Sequence, residues 1–172
     1  MKLFKNYWLV VSLLLSLVFV VSSCDDDDDG GIDLPDNEVR FDNIALTGAA
    51  EVQNPPVTTT GSGELDAVYN MDTKRLTYVV TWALGNSSDR TVGMHFHGPA
   101  STTANAPVVI GLPLTGSSGY DPGTSSAGSS GTVSGQTRQL TQQEEDDLLN
   151  GLWYLNIHST TYPDGELRGQ VE

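Results

Sequence analysis

Cysteine is nearly absent. One occurs in 172 residues, so no disulfide can form within the chain. Histidine is almost as scarce, with three. Basic residues are few: 8 Lys and Arg stand against 22 Asp and Glu, for a net charge of -14. That balance excludes nucleic acid as an expected partner, because gripping phosphates needs a basic patch. No Ser-His-Asp order and no glycosidase-type carboxylate pair stands out, so no catalytic residue is assigned. The length suits one domain and not comfortably two. What is plentiful is glycine, 18 residues, with abundant Ser and Thr, which favours a turn-rich β fold over a helical one.

The first segment reads as a targeting signal over residues 1–23. Lys2 and Lys5 make a positive start, and Trp8 to Val21 is mostly apolar. A stretch this short with these flanks is a signal peptide and not a transmembrane span. It ends in Val21-Ser22-Ser23-Cys24, which resembles the lipobox of bacterial lipoproteins, with Val in place of the usual Leu. The resemblance implies cleavage before Cys24 and lipid on its thiol, and hence a membrane partner and a bacterial outer-membrane location, surface-exposed or periplasmic. The run Asp25 to Asp29 stays solvated by self-repulsion, and with Gly30 and Gly31 it makes residues 24–38 a flexible tether. An acidic run directly after a lipidated cysteine also resembles the surface-export signal of Bacteroidetes-type lipoproteins. Loss of Lys2 and Lys5 leaves 6 basic against 22 acidic residues, a formal charge of -16.

Residues 39–172 are expected to form the folded domain. Val39 to Thr47 reads as a strand whose apolar positions change phase between Phe41 and Ile44, as a bulge would cause. Pro55 and Pro56 stop any ladder. Gly61 to Asn70 and Arg75 to Leu84 alternate apolar and polar residues and predict a hairpin about the turn Met71-Asp72-Thr73-Lys74. Asn86-Ser87-Ser88 is a loop that matches a glycosylation sequon. Val108 to Leu112 reads as a short buried strand, and Gly131 to Gln136 as a further one. Thr115 to Gly131 is expected to be a mobile surface loop, with Tyr120 an exposed aromatic available to a partner. Thr141-Gln142-Gln143-Glu144 is a capping box, opening one short helix that ends near Gly151. Tyr162-Pro163-Asp164-Gly165 is a turn and Glu166 to Val171 the last strand. Arg168 and Glu166 share one face of it, expected as a cross-strand ion pair or a solvated edge. The sum is an all-β Greek-key sandwich or barrel of seven or eight antiparallel strands with one short helix.

The histidines fall where chemistry is possible. In Met94-His95-Phe96-His97, an extended chain puts His95 and His97 on one face and Met94 and Phe96 on the other. In Trp153 to His158, Trp153, Leu155 and Ile157 share a face, and Tyr154, Asn156 and His158 share the opposite one. If the two strands are neighbours, three imidazoles meet. Three neutral nitrogen ligands with an open position suit copper or zinc. A metal-bound imidazole donates its other N–H to an acceptor behind it. The carboxylates of Glu51, Asp164 and Glu166, or backbone carbonyls, are the candidates. The same histidines could equally serve as hydrogen-bonded structural residues at the Gly98-Pro99 turn.

The order of these pieces resembles the CHRD (chordin-type) domain. They are Leu46 to Val52 with the prolines after it, Leu76-Thr77-Tyr78, Met94 to Ala100 with Ala106 to Val109, Leu140-Thr141, Gly151 to His158 and Tyr162 to Gln170. The resemblance implies an extracellular β-sandwich and brings no defined activity; an extracellular protein or glycan is the class of partner it leaves open. A weaker similarity is to copper/zinc superoxide dismutase, which uses a His-x-His strand and a later strand histidine for copper. Here His95, His97 and His158 would take those places, but the zinc-site residues and the bridging histidine have no counterparts.

Overall fold

The computed structural model describes residues 37–117, 119–122 and 125–172, all within the compact unit Leu34–Glu172. The signal segment, Cys24 and the acidic run lie outside the described residues. The elements are β1 (Glu38–Thr47), β2 (Ser62–Asn70), β3 (Arg75–Ala83), β4 (Thr91–His97), β5 (Val108–Gly111), β6 (Ser130–Gln136), α1 (Gln142–Leu149), β7 (Tyr154–Ser159) and β8 (Leu167–Gln170). The strands form one antiparallel sheet in the order β5-β4-β7-β8-β1-β2-β3-β6. β1, β2 and β3 are successive hairpin partners, and a strand from the end of the chain returns beside β1, a Greek-key arrangement. No helix among the described residues is long and apolar enough to cross a membrane.

The sheet curls into a half-barrel. Tyr78 on β3 and Phe96 on β4 lie near opposite ends of the strand order, yet their rings meet edge to face at 6.0 Å. The curl is driven by the alternation legible in the sequence. Leu65, Ala67 and Tyr69 on β2 and Leu76, Tyr78, Val80 and Trp82 on β3 are buried on the concave side, with Met94, Phe96, Leu155 and Ile157 facing them. Each of the Leu, Ile, Val, Met and Phe side chains among them contributes about 1.5–3 kcal/mol when removed from water. The bulge expected in β1 is present between Phe41 and Ile44; Asn43 takes φ 57 there and its N–H donates to Asp66 Oδ1 at 2.8 Å. The capping box is present in full, with Thr141 and Glu144 bonding reciprocally. Gly151 follows the Asn150 cap with φ +68, the left-handed conformation glycine accepts without strain.

Three expectations are corrected. The segment from Val108 is an edge strand, paired only with β4, and Val108 is 52% exposed. Four apolar residues in a row do not distinguish an edge from a buried centre. Tyr120 is not an exposed aromatic but packs against the core. The described part of the Gly/Ser loop is anchored, since Ala127 is fully buried and exchanges backbone hydrogen bonds with Thr91 at 2.9 and 3.2 Å.

Candidate functional site

β4 and β7 pair directly. Met94 stands opposite Ile157 and Phe96 opposite Leu155 on the core side. The other side then carries Gly93 opposite His158, His95 opposite Asn156 and His97 opposite Tyr154. The three imidazoles therefore meet on the convex face. One ligating atom from each of His95, His97 and His158 lies within 4.8 Å of the other two, and among the described residues this is the one such group of three or more metal-capable side chains. Gly93 supplies the floor: a Cβ there would stand 3.0 Å from His95 Cε1 and 3.4 Å from His158 Cδ2.

Two rings are held by backbone carbonyls. His97 Nδ1 donates to Ala106 O at 2.9 Å, and His158 Nδ1 to Pro163 O at 2.9 Å. Each bond fixes the tautomer and leaves Nε2 with its lone pair. His97 Nε2 is buried and has no hydrogen-bond partner. His158 Nε2 faces His95 Nδ1 at 3.1 Å, so in the metal-free protein the hydrogen between them belongs to His95.

Electrostatics keep the rings neutral. Burial, then the proximity of His158 and His97, pushes His95 down to about 4. Burial also lowers His97, against the bond to Ala106, and lowers His158, against the bond to Pro163 and the nearby Asp164. At neutral pH the cluster offers uncharged nitrogen bases.

The residues expected to stand behind the imidazoles divide. Carbonyls of Ala106 and Pro163 take that place. Asp164 acts on His158 through its charge. Glu51 instead accepts from Asn156 Nδ2 at 2.7 Å, one position away from His95 across the ladder. Glu166 turns away, accepting from Thr59 Oγ1 at 2.6 Å and Gly85 N at 2.7 Å.

The sequence reading missed a stack beside the cluster. His97 lies parallel to Tyr154, with centroids 4.9 Å apart and 6° between planes. The Arg168 guanidinium covers the other side of Tyr154 at 3.6 Å. Arg168 is almost fully buried and forms neither an ion pair with Glu166 nor a solvated edge, as had been expected. It donates to Asn105 Oδ1, Ser101 O and Ala104 O at 2.9–3.0 Å, fixing the loop that presents the Ala106 carbonyl. Tyr154 was legible as a neighbour of His158 by alternation; the burial of Arg168 depends on a loop distant in sequence and had no local signal.

No curated protein and no solved structure matches the chain significantly. The family model described as CHRD domain matches residues 43–171, which takes in all three histidines, the carbonyls behind them and every strand from the β1 bulge onward. By that match the chain belongs to the CHRD-domain family.

Proposed function

We propose that this domain, of a family that serves in general as extracellular binding modules, holds one copper or zinc ion through His95, His97 and His158. Lipid on Cys24 moors it to the outer membrane, on the surface or in the periplasm. The observation that carries the reading is the convergence of three neutral imidazoles, two of them oriented by carbonyls, around a buried and unpartnered His97 Nε2. Imidazole is a shared preference of copper and zinc, and three protein ligands leave a further position open. Tetrahedral ligands about 2 Å from one ion stand about 3.3 Å apart, so a spacing of up to 4.8 Å must close by as much as about 1.5 Å. For His95 to ligate through Nδ1, the nitrogen that faces His158, its hydrogen moves to Nε2, a change of tautomer without change of charge. Elemental analysis of protein purified without a His tag and loaded with copper or zinc tests the reading. One equivalent is expected, and His97→Ala should lower affinity at least about tenfold with an unchanged far-UV spectrum. A wild-type protein that retains neither metal would overturn it.

A second reading rests on a cavity of about 640 Å³ lined by Glu51, Gln53, Thr102, Arg168 and Gln170 with Val52. Its mixture of carboxylate, amide and apolar groups suits a glycan or peptide. Under that reading, replacing all three histidines leaves partner binding unchanged, while changes at Gln53 or Thr102 abolish it.

A further inference from the structure

We infer that a second, separate cation site exists at the opposite rim, a calcium site built on Glu166 and Asp89. Three irregular segments enclose it: residues 57–61 before β2, residues 84–90 between β3 and β4, and residues 160–166 between β7 and β8. They bound a cavity of about 290 Å³ that Glu166 and Asp89 both line. Glu166 is 1% exposed and Asp89 8% exposed. Glu166 Oε1 is satisfied by Thr59 and Gly85, and Asp89 Oδ1 by Asn86 Nδ2 at 3.1 Å. Glu166 Oε2 is buried without any hydrogen-bond partner; Asp89 Oδ2 also lacks one of good geometry, while hydroxyls of Thr161, Thr160 and Ser159 and the Thr161 N–H hold the Asp89 carboxyl below its usual value.

An orphaned Glu166 oxygen and a second, anionic carboxylate on one cavity favour positive charge there, because a buried anion without a countercharge costs several kcal/mol. The protein supplies none there, since no Lys, Arg or His lines the cavity. The nearest basic residue in sequence, Arg90, is spent on Ser126 and the Gly119 carbonyl. The lining residues bring carboxylates, the Asn86 amide and the hydroxyls of Thr59, Thr60 and Thr161, with no imidazole and no thiol. An all-oxygen set selects a hard cation, and calcium tolerates the irregular geometry that three loops impose better than magnesium does. The loops are drawn close around Glu166: a Cβ on Gly61 would stand 2.9 Å from Glu166 Oε1, and one on Gly85 would stand 2.2 Å from Thr59 Oγ1. The ion's role is to clamp these three loops in a medium where calcium is abundant.

The test uses the full chain, stripped with chelator and titrated with calcium alone. Saturable binding of one equivalent is expected, with Kd on the order of 10⁻⁴–10⁻³ M, as in extracellular modules. At tenfold excess over Kd the melting temperature should rise by about 3–5 °C. Glu166→Gln and Asp89→Asn should each lose that rise, with at least tenfold weaker calcium binding, yet take up copper as the wild type does. Asp89→Asn carries the test alone if Glu166→Gln does not fold. No calcium response in the wild type at about 10 mM, an equal response to magnesium, or a full response in Asp89→Asn overturns the site. The copper measurement keeps this outcome distinct from failure of the histidine cluster.

Discussion

Glu51 sits where burial and charge oppose each other. Burial pushes its carboxyl up from 4.5 to about 7, against Gln53, Arg168 and Asn156, which favour the anion. The folded protein therefore holds a proton on Glu51 between about pH 4.5 and 7 that the unfolded chain has released. Stability from this residue is present below that window and is lost as pH rises through it. Glu51→Gln keeps the acceptor for Asn156 and removes the titration. It should melt about 2–5 °C above the wild type at pH 8 and together with it near pH 4; an equal difference at both pH values would show that charge is not the cause. The histidines present the opposite case for legibility. Their shared face follows from a side-chain period of two, which needs only a strand to be recognised, so His95 and His97 could be paired from the sequence. Gly93 could not be assigned its part, because a glycine that makes room for two rings looks the same in sequence as one that makes a turn.

Among the elements, the loop between β4 and β5 is the one that the proposed metal site depends on, and Arg168 on β8 holds it. Lysine in that place loses the planar fork and the stacking on Tyr154, leaving the carbonyls of Ser101 and Ala104 under-satisfied. Arg168→Lys should cost about 2–4 kcal/mol in denaturant unfolding. It should also weaken copper binding, since the Ala106 carbonyl that orients His97 rides on the same loop. A destabilised variant with wild-type copper affinity would separate the clamp from the site. Elements whose signals are local were readable: the β1 bulge from its phase shift, α1 from Thr141 and Glu144, the β2–β3 hairpin from its alternation. β5 was misjudged as buried because its place at the edge is decided by which strands pair around it, and pairing order is not written in four residues. The same holds for Arg168, whose carbonyl partners come from a loop more than sixty residues away in the chain.

For the whole molecule, one continuous half-barrel and a two-layer sandwich share the same strands and the same alternation, so the sequence could specify the all-β class without choosing how the sheet curls. The finished sheet has a direction that matters outside the cell. The chain enters at Glu38 and comes level with the histidine row only at Thr47, which stands opposite Arg168, itself opposite Asn156 and then His95. At about 3.3 Å per residue, the entry point and that row lie roughly 30 Å apart along β1. A lipid at Cys24 would then attach the domain by the end remote from its imidazoles, leaving them open to the medium. Charge does not favour membrane contact: without Lys2 and Lys5 the chain would carry 22 acidic residues against 6 basic, and anionic headgroups repel such a surface. Cys24→Ser should therefore move the protein from the membrane fraction to the soluble fraction. Wild-type lipoprotein on vesicles should take up the same equivalent of copper as the released form. Retention of Cys24→Ser in the membrane fraction would end the lipid mooring, and a vesicle-bound wild type that takes no copper while the released form does would mean that the imidazoles face the bilayer instead.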